Sequence, residues 1–158
     1  MKPEQTQVLK VWIAAGLWLV VIAIESSNLL SAANTGRILY PILHFLFGIT
    51  RAQFPIWHLY IRKTGHFVGY FVLSALLFRA WRSTLPTRNP GVWAMRWATI
   101  AFFMSVFVAT LDEWHQSFLP SRTAEVSDVV LDSFAALVAQ LVILWFYSRD
   151  RVTMNPAD

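Results

Sequence analysis

Four apolar stretches constrain this chain more than any other feature: Val8–Ile24, Gly65–Trp81, Val92–Leu111 and Val126–Tyr147. Each is near the roughly 17–25 residues that cross a bilayer. Lys10 lies close to the start of the first, where its ammonium can snorkel to the headgroups. His66 and Arg79 stand near the ends of the second, and a Pro-rich polar turn, Leu85–Gly91, precedes the third. Asp128 and Asp132 fall in the first two turns of the fourth. The chain has 158 residues, of which 56% are hydrophobic and 14% charged. One water-soluble core of that size cannot hide so much apolar surface, and the mean hydropathy of +0.49 agrees. Composition therefore argues against a soluble enzyme and a disordered segment. Lys and Arg number 13 against 9 Asp and Glu, which in such a chain reads as membrane-side basic residues and no nucleic-acid partner. The absence of cysteine excludes disulfides, thiolate metal sites and thiol nucleophiles. The expected fold class is all-α: a polytopic membrane protein with four transmembrane helices, residues 1–158 forming one domain.

Between the first two runs, residues 38–60 are interrupted by Pro41, Gly48 and Pro55. Their apolar part is too short to cross and their aromatic residues suit the headgroup belt, so an interfacial or re-entrant segment is expected. Residues 148–158 read as a polar tail. A cleavable signal peptide competes for the first run, with Ser31-Ala32-Ala33 as a loose cleavage site. That run, however, exceeds the roughly 7–15 residues of an h-region. Orientation follows from the basic residues in the connections. With the N-terminus in the cytoplasm, Lys2, Lys10, Arg79, Arg82, Arg88, Arg96, Arg149 and Arg151 fall inside. Arg37, Arg51, Arg62, Lys63 and Arg122 then fall outside. The asymmetry favours two cytoplasmic termini.

Under that topology the ionisable residues gather at the outer leaflet. Glu25 ends the first run, Lys63 and His66 open the second, Asp112 and Glu113 close the third, and Asp128 and Asp132 begin the fourth. An Asp or Lys at mid-helix costs about 2.5–3.5 kcal/mol on insertion scales, so these groups should face one another or a wet cavity. Lys63, His66, Tyr70 and Ser74 form one helical stripe. Asp128 and Asp132 share a face that continues as Ala135 and Ala139, small residues that admit a neighbouring helix. A helical continuation through Gln116 would group Asp112, His115 and Gln116, with Glu113 to one side. Duller roles exist for each: Arg62 and Lys63 as headgroup anchors, Glu25 and Asp128 as helix-end partners, and His44, His58 and His115 as interfacial residues. Asp132 lies too far into its helix for such an account.

At these residues the sequence resembles the VanZ-like family of small bacterial integral membrane proteins. The matching pieces are Glu25-Ser26-Ser27, Arg62-Lys63-Thr64-Gly65-His66-Phe67 with Tyr70, the stretch Asp112–Thr123, and Asp128 onward. Their order and spacing span nearly the whole chain. Where the family commonly has Asn and then Gly after the fourth-span Asp, this chain has Asp132 and Ala135 or Ala136. The family takes its name from a protein associated with low-level resistance to the glycopeptide teicoplanin. The resemblance implies an envelope role in the bacterial plasma (inner) membrane and does not define a reaction.

Two functional readings follow. In the first, an outward-facing polar cavity binds a membrane lipid or lipid-linked envelope precursor through its phosphate or glycan head group. Glu25, Lys63, Tyr70, Asp112, Glu113, Gln116 and Arg122 supply the ligand contacts. The alternative is a lipid-phosphate phosphatase-like or transferase enzyme whose catalytic candidates are His66, Asp128 and Asp132. Type-2 phosphatidic-acid phosphatases carry Ser-Gly-His, then Ser-Arg, five residues, His, three residues, Asp. Thr64-Gly65-His66, Ser121-Arg122, Asp128 and Asp132 resemble that spacing, with Asp128 where the nucleophilic His stands. A metal site on His66, Asp128 and Asp132, with Glu113, is a third reading that would suit Mg2+ or Mn2+. No ligand pair has a diagnostic spacing, so no cofactor is expected. A transporter with four spans and no repeat would need oligomerisation, and the sequence leaves the oligomeric state open.

Overall fold

The computed structural model describes residues 3–85, 87, 90–122 and 124–153. Among them there is no strand. The elements are α1 (Pro3–Ser26), a 3-10 turn (Asn28–Leu30), α2 (Ala32–Phe47), α3 (Phe54–Thr84), α4 (Pro90–Gln116) and α5 (Val126–Thr153). The all-α class read from the apolar runs is observed. The long helices outrun those runs, because propagation adds a hydrogen bond per residue and is indifferent to where the lipid-compatible side chains stop. The polar tail expected from residue 148 is thus helical as far as Thr153. Lys2, Pro86, Arg88, Asn89, Thr123 and residues 154–158 lie outside the described residues.

Three segments are long and apolar enough to cross a membrane: Glu4–Ser26, Ala94–Gln116 and Val126–Arg149. The expected span 65–81 is not among them, although it lies within α3, a helix of 31 residues. The position of α3 explains the difference. It packs against α1, α4 and α5, and no large apolar side chain between Val68 and Leu85 is exposed. A helix shielded by its neighbours can hold polar residues that lipid would penalise. The other three long helices instead turn apolar stripes outward: Leu9, Ile13 and Leu17 on α1, Phe103, Phe107 and Leu111 on α4, Val130, Phe134 and Leu137 on α5. These spacings of three and four mark one face of each helix.

Residues 38–60, expected as one interfacial segment, are divided between two helices. α2 has 16 residues, about 24 Å at 1.5 Å per residue, which is short of a roughly 30 Å hydrocarbon core. It contains no buried residue and packs on α3 and the 3-10 turn. Its start is capped by the Ser31 side chain, and it ends at Gly48, whose φ of 67° is a left-handed cap suited to glycine. Residues 54–60 begin α3 after Pro55 takes a first-turn position, where a missing N–H costs nothing. The Thr35 hydroxyl donates to the Ser31 carbonyl (2.8 Å), so the His58 Nε2–H donates to Thr35 Oγ1 at 2.9 Å. Burial and the nearby Arg62 guanidinium push the His58 pKa below its ordinary value. A neutral imidazole therefore pins α2 to α3.

The helix contacts are made by small residues. Ala94, Ala98, Ala101, Ser105 and Ala109 on α4 and Ala135, Ala136 and Ala139 on α5 are all buried, so the helices approach closely, as lipid-solvated bundles require. Aromatic edges fill the remainder: Phe78 meets Trp97 and Tyr147, and Trp12 meets Trp81. Ser74 Oγ donates to the Ala136 carbonyl at 3.1 Å, and Gln140 Nε2 donates to Ser74 Oγ at 2.7 Å. Ala136→Leu should force α3 and α5 apart and break this pair of bonds. The expected destabilisation is about 1–3 kcal/mol, the usual range for overpacking, measured by reversible unfolding in detergent against Ala14→Leu on an exposed face of α1.

Candidate functional site

The polar stripe of α3 meets α5 and α4 residue by residue. Lys63 forms an ion pair with Asp128 and stands 3.8 Å from Glu125. His66 Nδ1 lies 3.4 Å from Asp132 Oδ2. One turn further, the Tyr70 hydroxyl donates to Asp112 Oδ2 at 3.3 Å, and Ser74 follows with Ala136 and Gln140. The partners on α5 fall at 128, 132, 136 and 140, a spacing of four that keeps them on one face. The two numberings rise together, so the α3 and α5 stripes run parallel.

The end of α4 adds a second layer. Ala109, Glu113 and Gln116 are buried and Asp112 is partly so. Gln116 Nε2 donates to Asp112 Oδ2 at 3.2 Å, and the Glu125 backbone N–H donates to Glu113 Oε2 at 2.9 Å. Two sequence expectations change here. His115 does not join Asp112 and Gln116 but is exposed, while Glu113, expected to one side, is buried. Positions 109, 112, 113 and 116 form the inward face of a 3.6-residue helix, and 115 points away from it. His66, Asp112 and Asp132 each bring one ligand-type atom within 4.8 Å of the others.

Beside this cluster lies a cavity of about 190 Å³. Of the expected site residues, Glu25, His66 and Arg122 line it. Lys63, Tyr70, Asp112, Glu113, Gln116, Asp128 and Asp132 are not in its wall. They stand in the polar layer that His66 joins to the cavity through Asp132. The remaining wall comes from Arg62, Gly65 and Ile61 of α3, Thr35 and Leu39 of α2, and Leu30 of the 3-10 turn. Sequence reasoning did not place Arg62 among the ligand contacts and missed the contribution of α2. A larger groove of about 1020 Å³ lies at the opposite end, between the start of α1 and the end of α3, and among the described residues Glu4 is the one ionisable group in its lining.

Two features set the cavity's electrostatics. Gly65 and Gly69 leave a groove one helical turn long on α3, and the Glu25 carboxylate lies over it. A Cβ at 65 would meet Glu25 Oε1 at 2.6 Å, and one at 69 would lie 3.8 Å from Oε2. The Gly-x-x-x-Gly spacing was a legible signal of such close approach. Arg122 donates through one guanidinium nitrogen to the carbonyls of Glu25, Ser27 (2.8 Å) and Leu30 (3.0 Å), tying its loop to the end of α1. Its buried Nε has no partner. Burial and the Arg62 guanidinium hold the Arg122 pKa below its ordinary value. Arg62 makes no hydrogen bond or ion pair among the described residues. Two guanidinium groups thus share one small cavity with one carboxylate.

The phosphatase-like spacing looks different in three dimensions. Asp128, at the nucleophile position, is paired with Lys63, and Ser121 Oγ donates to Asn28 Oδ1 at 2.5 Å. Asp132 contacts His66, which stands in the separate Thr-Gly-His piece.

An all-α chain with three membrane-length apolar helices around a shielded polar helix is the class these features define. Residues 11–147 match the VanZ/LLP1 family, and the chain belongs to that family. Comparison with curated proteins and with solved structures gave no match.

Gly65→Ala tests the Glu25 seat. The obstacle is the far end of a flexible side chain, and alanine favours a helix by roughly 0.5–1 kcal/mol. Stability should therefore change by less than about 1 kcal/mol, while the Glu25 carboxylate leaves its groove. Thermal denaturation and the carboxylate carbon shift of Glu25 by NMR check the two halves separately.

Proposed function

We propose that the chain is a bacterial plasma-membrane protein that binds the phosphate-bearing head group of an envelope lipid or lipid-linked precursor. In this reading α1, α3, α4 and α5 are the four spans of a single domain, with α3 crossing inside a sheath of its neighbours. α2 rests at the outer interface, and both termini are cytoplasmic. The observation that carries the reading is the cavity that places Arg62 and Arg122 beside Glu25 and His66. Arg62 makes no hydrogen bond or ion pair among the described residues, and a planar guanidinium suits phosphate oxygens. Glu25 would accept from a hydroxyl or ammonium on the same head group. Leu30, Leu39 and Ile61 add an apolar wall for the first carbons of a chain. A volume of about 190 Å³ is below the roughly 300–1,000 Å³ of drug-sized pockets, so it fits a head group and leaves the tail in lipid.

Binding is favoured over hydrolysis because the nucleophile candidate, Asp128, and the cation nearest it neutralise each other. Lys63, expected among the ligand contacts, is for the same reason given an ion-pairing role. We extend the reading to teicoplanin tolerance only as a consequence of head-group capture at the outer leaflet.

Purified protein in nanodiscs should bind phosphatidylglycerol or a polyprenyl phosphate saturably, and increasing salt should weaken it. Arg62→Gln should lower that affinity roughly ten- to a hundredfold, the effect of losing one charge-assisted contact of roughly 1.5–3 kcal/mol. Unchanged affinity in Arg62→Gln would remove the proposal, and phosphate release abolished in His66→Ala would replace it with the enzyme. Topology has its own check. Reporters fused after Leu85 and after Ser148 should read cytoplasmic and one at Ser121 external; an external Leu85 would reverse the orientation.

A further inference from the structure

The carboxylates of Asp112, Glu113 and Asp132 share a pattern that neither helix packing nor head-group binding explains. Each is held by the protein through one oxygen while the other has no hydrogen-bond partner among the described residues. Asp132 is fully buried, with Oδ2 on His66 and Oδ1 unpartnered. Glu113 is 6% exposed, with Oε2 on the Glu125 N–H and Oε1 unpartnered. Asp112 accepts from both Tyr70 and Gln116 on Oδ2, and no hydrogen bond among the described residues reaches its Oδ1. For Asp112 and Glu113 the anchoring donors, Tyr70, Gln116 and the Glu125 N–H, form an outer layer of the kind that orients carboxylate ligands around an ion.

The charge balance points the same way. Of the nearby cations, Lys63 is committed to Asp128 and Glu125 and Arg122 to three backbone carbonyls, while Arg62 lines the head-group cavity. His66 is left as the basic group in contact with the carboxylates, through Asp132. Three carboxylates in a low-dielectric bundle need positive charge, since an uncompensated buried ion is strongly disfavoured. His66, Asp112 and Asp132 already place ligand atoms within 4.8 Å of one another, a span that a modest side-chain contraction closes around an ion bonded at about 2.0–2.2 Å.

We propose that His66, Asp112 and Asp132, joined by Glu113, bind one divalent transition-metal cation, Mn2+ or Zn2+, where α3, α4 and α5 meet. One imidazole with two or three carboxylates suits these ions. Mg2+ holds most of its water and favours carboxylates alone. Asp112 takes the place that sequence spacing gave to Asp128, because Asp128 is spent on Lys63. The ion would sit behind the head-group cavity and bridge α3, α4 and α5. The proposal goes beyond the head-group reading and does not depend on it.

The test uses the full chain in detergent, stripped with a chelator and titrated with Mn2+ under electron paramagnetic resonance, and separately with Zn2+ under elemental analysis. One ion per chain is expected, retained against a hundredfold excess of Mg2+. Asp132→Asn and Asp112→Asn should each weaken binding at least tenfold, and Glu113→Gln several-fold. Glu125→Gln removes an exposed carboxylate but keeps the backbone donor, and should leave binding unchanged. If Asp132→Asn does not fold, Asp112→Asn and Glu113→Gln decide the matter. Absence of saturable binding by the unmutated chain would overturn the proposal and assign the charge balance to shared protons. Full affinity in both Asp112→Asn and Glu113→Gln would overturn it equally.

Discussion

An ionised side chain in an apolar helical bundle persists only where another polar group meets it, and the whole arrangement turns on how α3 satisfies that constraint. Its stripe of Lys63, His66, Tyr70 and Ser74 finds a partner on α5 or α4 at every step. Those bonds require α3 to be enclosed, and enclosure explains why its hydropathy falls short of a membrane span while its neighbours' does not. Polarity inside and apolar stripes outside are two results of one placement.

Close approach is what brings the polar groups within reach, and it depends on residues that carry no chemistry. Ala135, Ala136 and Ala139 are fully buried, which lets α5 present Asp128 and Asp132 to α3 at contact distance. Gly65 and Gly69 do the same for α1, giving the Glu25 carboxylate a seat against the α3 backbone. A larger residue at Ala135 or Ala136 would separate the pairs as well as the helices, so packing and electrostatics are one system here.

The site has two halves of opposite character joined at His66. Toward α2 lies a small cavity with Arg62, Arg122 and Glu25; toward α4 and α5 lies a carboxylate cluster with unpartnered oxygens. His66 lines the first and contacts Asp132 in the second. Any charge that enters one half is felt in the other, because His66 is common to both and Coulomb interactions between buried groups are weakly screened. Arg122 also fixes the loop after α4 to the end of α1, so one side chain shapes the cavity wall and closes the bundle.

The sequence by itself determined the all-α class, the apolar runs and the α3 stripe, because these rest on local periodicity and composition alone. Family membership was likewise legible in the order of Glu25-Ser26-Ser27, Lys63 to His66, Asp112 to Arg122 and Asp128. What pairs with what was decided only by the tertiary structure. Periodicity puts Asp128 and Asp132 on one face, but helix register gives Lys63 to the first and His66 to the second. Rotation of α4 turned Glu113 inward and His115 outward, and the docking of α2 made Arg62 part of a cavity wall. Register and rotation are set by how side chains interlock between helices, and a pattern read along one helix holds no information about the neighbour that will face it.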